Sequence, residues 1–200
     1  MQNKTRLISS LIGATLLYAS AFAADYTIDP SHSQVLFKIK HLGISTVTGR
    51  FETFEGTFSY DSAKLADSKA SVTIAADSIN TNSEKRDAHL KSPDFFDVAT
   101  FPQLTFVAKS TEAVDATHFL VNGDLTIHGV TKPVVLDAEL GGTVKDPWGM
   151  ERAAFTASTK INRKDFGLTW NKALETGGFV VGDEVKIELE VEGIKQVVKK

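Results

Sequence analysis

The sequence predicts an all-β protein, an antiparallel up-and-down β-barrel of about eight strands with short helical insertions. Three observations carry that expectation. Apolar residues recur at every second position through most of the chain, and turn-forming residues punctuate the runs. The last run sets a wholly apolar face against a charged one.

The first residues are read separately. Lys4 and Arg6 precede an apolar run, Leu7 to Leu17, broken by Ser9, Ser10, Gly13 and Thr15, and Ala21-Phe22-Ala23 follows. A charged start, a short apolar core and an A-x-A site are the pattern of a cleaved signal peptide, here residues 1–23, with 24–200 as one domain. The run is too short and too polar to span a hydrocarbon layer of about 30 Å. No cysteine is present, which closes lipid anchoring through a cysteine and excludes a disulfide framework and a thiol nucleophile. Removing residues 1–23 takes away Lys4 and Arg6 and no acid, so the formal charge moves from −3 to −5. That charge argues against nucleic acid, which needs clustered Lys and Arg, and against strong electrostatic docking to anionic lipid.

The strands follow in order. Val35, Phe37, Ile39 and His41 share one face of the first, against Gln34, Lys38 and Lys40, with Leu36 the one apolar residue on that second face. Phe54, Gly56, Phe58 and Tyr60 continue the alternation, and the step from Phe51 to Phe54 predicts a β-bulge at Glu52-Thr53. Ala70, Val72, Ile74 and Ala76 mark the third strand, and Leu104 and Phe106 the next. Phe119, Val121, Gly123, Leu125 and Ile127 come after. Val134, Leu136, Ala138 and Leu140 follow a connection at 129–133, and then Ala153, Phe155, Ala157 and Ile161. In the last strand Val185, Ile187, Leu189 and Val191 face one way, and Glu184, Lys186, Glu188, Glu190 and Glu192 the other. Such a count suits a closed barrel of lipocalin type, although a two-sheet sandwich alternates in the same way. Asn82 to Leu90 reads as one or two helical turns capped by Asn82, and Ser92-Pro93 as the start of another short turn ending near Asp97. Asn162 to Gly182 carries Phe166, Trp170 and Phe179 among polar residues and glycines. Lys195, Lys199 and Lys200 end the chain as an exposed tail.

Several long strings, in order, resemble the YceI-like family of polyisoprenoid-binding proteins. They are IDPSHSQVLFKIKHLGISTVTGRFETFEG (Ile28 to Gly56), SINTNSEKRDAHLKSPDFFD (Ser78 to Asp97), GDLTIHGVTKPVVL (Gly123 to Leu136), INRKDFG (Ile161 to Gly167) and VGDEVKIELEVE (Val181 to Glu192). The resemblance implies a lipocalin-like barrel with an internal hydrophobic tunnel that binds a long-chain polyisoprenoid or isoprenoid quinone. It also implies a periplasmic location for a member with a signal peptide.

On that reading the tunnel wall is Val35, Phe37, Ile39, Phe51, Phe54, Phe58, Val72, Ile74, Leu104, Phe106, Phe119, Leu125, Leu136, Phe155, Ile161 and Ile187. Gly49, Gly56, Ala70, Ala76, Gly123, Ala153 and Ala157 leave inward room. Aromatics beside polar tips suit a mouth for the head group: His41, Arg50, Arg86, Asp87, His89, Phe95, Phe96, Asp165, Phe166 and Trp170. From patterning alone, the same apolar positions equally describe an ordinary filled core. Two other readings stay open: a periplasmic stress-related interaction protein without a ligand, and an enzyme acting on such lipids. Against catalysis, His32, His41, His89, His118 and His128 lack metal-ligand spacing, and no G-x-S-x-G elbow or phosphate loop occurs. No catalytic, metal or cofactor site is expected. Transient membrane contact and homodimerisation through an edge or loop stay open.

Overall fold

The computed structural model describes residues 24–61, 64, 68–175 and 177–197; the expected signal peptide, Lys199 and Lys200 lie outside them. Eleven strands form one antiparallel sheet: β1 (Ala24–Ile28), β2 (Gln34–His41), β3 (Ser45–Phe51), β4 (Phe54–Tyr60), β5 (Lys69–Ala75), β6 (Ile79–Asn80), β7 (Gln103–Ala113), β8 (His118–Ile127), β9 (Val130–Lys145), β10 (Glu151–Asn162) and β11 (Val181–Lys195). One helix, α1 (Glu84–Lys91), precedes β7.

The sheet closes on itself, which decides between barrel and sandwich. β11 is long enough to pair with β2 through Val181–Glu190 and then with β1 through Gly193–Lys195. β1 and β2 thus act as two halves of one stave. β3 and β4 do the same across Glu52-Thr53, where Glu52 N donates to Ser78 O (3.1 Å) and Ala75 N to Thr53 O (2.9 Å). β5 and β6 join through a 3-10 turn at Ala76–Ser78. Eight staves result, each beside its sequence neighbours, in up-and-down order.

Turn chemistry sets the connections. His128 (φ 51°) and Gly129 (φ 73°) make the tight β8–β9 link, because left-handed residues match the twist of the flanking strands. β9 therefore starts at Val130 and runs through Pro133, earlier than the sequence pattern suggests. Pro133 is tolerated because β10 pairs with β9 only from Asp137 onward, which leaves this stretch an edge. Asp115 Oδ1 accepts from Thr117 N (2.8 Å) and His118 N (2.9 Å) in the β7–β8 turn; those amides and the His118 ring hold its carboxyl down to about 2. The helix begins later than expected. Asn82 adopts φ 59°, with its N–H given to Asn80 Oδ1 (2.8 Å), so Ser83 takes the cap position.

Inside, Ile28, Val35, Phe51, Phe54, Ile74, Leu104, Phe106, Leu125 and Leu136 form one buried cluster. Outside, Lys38 meets Glu188 (2.6 Å) and Lys160 meets Glu184 (3.0 Å). This is apolar inward and charged outward, the reverse of a bilayer-spanning barrel. Among the described residues, no helix is long and apolar enough to cross a membrane.

A charge network ties the strands together where β1 meets β11. Arg152 Nη1 donates to Asp29 Oδ2 (2.9 Å) and Glu192 Oε1 (2.5 Å), and its Nε donates to Asp146 Oδ2 (2.9 Å). Lys195, expected in a free tail, pairs with Glu151 (2.5 Å) from within β11. Ser31 and His32, with Arg152, hold the Asp29 carboxyl well below its ordinary value, and Arg152 does the same for Asp146. Carboxylates depressed in the folded state contribute stability above their unfolded pKa, near 4, and lose it as pH falls through the folded values. Thermal melts across acid pH should therefore show stability falling below about pH 4. Arg152→Met should melt lower at neutral pH and lose less on acidification; a parallel pH profile in the variant would contradict this role.

Candidate functional site

The inward wall does not fill the barrel. Two apolar cavities remain, of about 130 Å³ and about 250 Å³, and they share no lining residue. For scale, a roughly 150 Å³ cavity lined by Leu, Ile and Phe stays dry and takes benzene.

The smaller cavity is walled by Phe58, Val72, Phe106, Phe119, Leu136 and Phe155, with Ile28, Tyr60, Ala70, Ala157, Leu189 and Val191. Phe155 organises this wall. Its ring meets those of Phe58 (5.3 Å), Tyr60 (5.3 Å) and Phe119 (5.8 Å) edge to face, an arrangement aromatic quadrupoles favour.

The larger cavity is walled by Phe37, Ile39, Phe51, Ile161 and Ile187, with Val47, Ile127, Leu168, Val180, Val181 and Val185. Its rim holds His41, Arg86, His89, Phe95, Phe96 and Trp170 together with Lys40 and Arg163. His89, Phe95 and Trp170 form an aromatic corner: the His89 ring lies 5.1 Å from Phe95 and 4.9 Å from Trp170. Lys, Arg and His line this rim and no carboxylate does.

Val35, Phe54, Ile74, Leu104 and Leu125 line neither cavity; they are buried at the level between them. Phe54 pairs with Ile74, and Ile74 with Leu104, so the three make a belt across adjacent staves. Glycines expected to leave room instead receive rings. A Cβ at Gly49 would stand 2.3 Å from Phe37 Cζ, and one at Gly123 would stand 2.4 Å from Phe106 Cζ. Gly56 is similarly covered by Ile28 Cδ1, at 3.1 Å, and Ala76 and Ala153 are fully packed. Ala70 and Ala157 do border open space.

Four residues expected at the mouth stand elsewhere. Phe166 is 2% exposed and belongs to the core, because a 3-10 turn at Arg163–Phe166 folds its ring inward. Arg50 alternates outward from Phe51 and pairs with Glu52 (2.9 Å). Asp165 is exposed and absent from the cavity walls. Asp87 is taken up by Thr81, whose N–H (2.9 Å) and Oγ1 (2.5 Å) both donate to its Oδ1. Arg86 binds the same Thr81, through Nε to Oγ1 (2.7 Å) and Nη2 to the carbonyl (2.6 Å). This pair of contacts ties α1 to the barrel beside the cavity that Arg86 borders.

Arg163 is the residue that pattern reading passed over. It is 3% exposed, with Nε donating to Gly182 O (2.8 Å) and Nη1 to Leu168 O and to Trp170 O (2.9 Å). Burial pushes its guanidinium below the usual arginine value, opposed by Asp183. It fastens the Leu168–Trp170 loop to the start of β11 and so holds Trp170 at the rim. Its signal in the sequence is the lone charge after an apolar strand end, Ile161-Asn162-Arg163, which marks a turn as readily as a buried strut.

Asp29, His32 and Glu192 also lie close enough together to hold a cation. Arg152 already partners both carboxylates, so the cluster is satisfied within the chain.

A closed up-and-down barrel with unfilled apolar chambers and a polar rim is the architecture of a lipocalin-like binding protein. The YceI-like domain profile matches residues 26–193, and the chain belongs to that family. A UPF0312 protein of Shewanella denitrificans is 43% identical over 196 residues, 96% of this chain and 100% of its own. The Campylobacter jejuni YCEI protein is similar at TM-score 0.68 and 38% identity, over 80% of this chain and 91% of its own. Burkholderia cenocepacia BcnA gives TM-score 0.73 at 25% identity, over 82% and 98%. A polyisoprenoid binding domain from Saccharophagus degradans shares the fold, with TM-score 0.62 at 18% identity, over 88% and 100%.

Removing the Arg163 strut should orphan three carbonyls and release Trp170. Arg163→Met is expected to destabilise by about 1–3 kcal/mol in urea denaturation, the usual cost of leaving buried polar groups without a partner. Arg163→Lys should rescue little, since an ammonium cannot span the fork. Full stability in both variants would contradict the assignment.

Proposed function

We propose that this protein holds one long apolar lipid of the polyisoprenoid or isoprenoid-quinone kind, tail along the barrel axis and polar head at the rim of the larger cavity. The observation that carries the proposal is the unfilled space. Apolar space left unfilled forfeits packing contacts, at a cost of up to about 24 cal/mol per Å³ where it is closed to water. A barrel selected for stability alone would place larger side chains at Ala70, Ala157 and Val47. A linear, flexible hydrocarbon fits staggered chambers better than a compact one, because each chamber alone is small. To thread both, the tail must part the buried belt of Val35, Phe54, Ile74, Leu104 and Leu125 that lies between the chambers.

The rim suits an acceptor-rich head. Lys40, His41 and Arg86 offer donors, while His89 Nε2 is held by Asp94 Oδ2 (2.8 Å), and phosphate or quinone oxygens are acceptors. The binding of polyisoprenoid named for the Saccharophagus domain supports the tail chemistry. Export to the periplasm, with residues 1–23 removed, completes the reading and supplies the compartment where the carrier works. The contacts at the rim are suited to holding a head group, and binding requires no bond to be made or broken.

Organic extraction of gently purified protein, followed by mass spectrometry, should yield a prenyl lipid at about one per chain. Ala157→Phe, which fills the smaller cavity, should fold with unchanged or higher melting temperature, since cavity filling commonly adds about 0.5–2 kcal/mol. It should also retain on the order of tenfold less of the long-chain lipid, having removed apolar surface for the tail. No extractable lipid and no uptake of an added quinone would overturn the proposal.

A further inference from the structure

The rim of the larger cavity is also where the chain exposes its most unusual surface. Ile44 is 86% exposed, Phe179 56% and Leu42 37%. Leu42 and Ile44 sit on the β2–β3 turn, and Phe179 on the small hairpin where Ala173 bridges to Phe179. The two tips are joined, since Leu42 N donates to Val180 O (2.8 Å). Lys40, His41, Val180 and Val181, from the same two segments, line the cavity itself. The apolar tips and the opening are therefore one continuous surface.

Two further features set this surface apart. Leu42 is held at φ 54°, a conformation that is an outlier for a bulky side chain and that Asn or Gly would adopt more cheaply. The tip thus carries strain and exposure together, where solubility alone would favour a polar residue. The flanking segments expose several lysines on a chain that is acidic overall. Lys164 Nζ lies 5.8 Å over the Phe179 ring, and Lys40 and Lys172 are exposed nearby. Of the acids in these segments, Asp183 is matched by Lys164 (2.8 Å) and Arg163, Asp165 is exposed beside Lys164, and Glu175 stands at the hairpin.

We propose that Leu42, Ile44 and Phe179, with Lys40, Lys164 and Lys172, form a docking surface for the phosphate-bearing interface of a lipid bilayer, set at the cavity mouth so that a lipid passes between bilayer and barrel without crossing water. Apolar side chains that wedge among head groups, surrounded by lysines that meet phosphates, are the recognised chemistry of interfacial attachment. Local charge complementarity operates here despite the net negative charge, because screening confines each interaction to about 8–10 Å. The attachment is weak and reversible, as a shuttle requires. The proposal takes from the lipid-holding reading only the direction of traffic through this mouth.

The test uses the mature chain and vesicles of phosphatidylethanolamine with phosphatidylglycerol. Wild-type protein should sediment with these vesicles and less with phosphatidylcholine alone or at high salt. The triple variant Leu42→Asn, Ile44→Ser, Phe179→Ser should keep its melting temperature and its equilibrium uptake of farnesol in vesicle-free buffer. Its vesicle binding and its rate of prenyl transfer from vesicles should each fall on the order of tenfold. Wild-type protein that stays in the supernatant, or a triple variant that sediments equally, overturns the docking surface. So does a wild-type dimer that the triple variant splits without either binding vesicles, which assigns the face to a second copy. Vesicle binding that is lost in the triple variant, in a wild-type protein that takes up no farnesol, upholds the surface and counts against the lipid-holding cavity.

Discussion

The whole arrangement depends on β11 reaching far enough to pair with both β2 and β1. That single strand turns an open sheet into a ring, and a ring has one inside. Every second residue of each stave is then committed to a shared interior, whose volume follows from strand number and tilt and not from the side chains available. A sandwich can draw its sheets together until the core is dense; a closed barrel cannot collapse across its own axis. Space that side chains leave is therefore space that stays. Here the belt of Val35, Phe54, Ile74, Leu104 and Leu125 fills the waist, and the two ends remain open.

The two ends differ in character. Around Phe155 the smaller chamber is aromatic, and the Arg152 network near it ties the end of β1 to β10 and β11. Around Trp170 the larger chamber is bordered by loops, cations and exposed apolar tips. An amphiphile has the same asymmetry, with an apolar tail and a polar head. Arg163 and the Arg86–Thr81–Asp87 contacts make the polar end orderly without closing it.

Much of this was legible in the sequence because period-two alternation reports directly on which face of a strand meets the interior. Phe37, Ile39, Phe58, Phe119, Phe155 and Ile187 stand where alternation places them. Closure was not legible from alternation, which left barrel and sandwich open; the family resemblance implied the barrel, and the pairing that closes it joins β11 to a strand over 140 positions away, as in Leu189 with Val35. Nor was the waist: alternation says that Val35 and Leu104 point inward, not that they meet other side chains there. Gly49 and Gly123 misled for a related reason. A missing side chain suggests room, yet in a closed sheet the neighbouring stave's phenylalanine lies across it. Phe166 misled because its 3-10 turn reverses direction within four residues, shorter than any periodicity can register. The family resemblance supplied the ligand class, which no pattern of alternation contains.

Calorimetric titration with farnesol, repeated at several temperatures, tests the central claim most directly. Vacant apolar chambers predict binding at one molecule per chain with a clearly negative heat-capacity change, the signature of apolar surface leaving water. A titration without saturable heat, or a heat-capacity change near zero, would show that the barrel's interior is closed to apolar ligands.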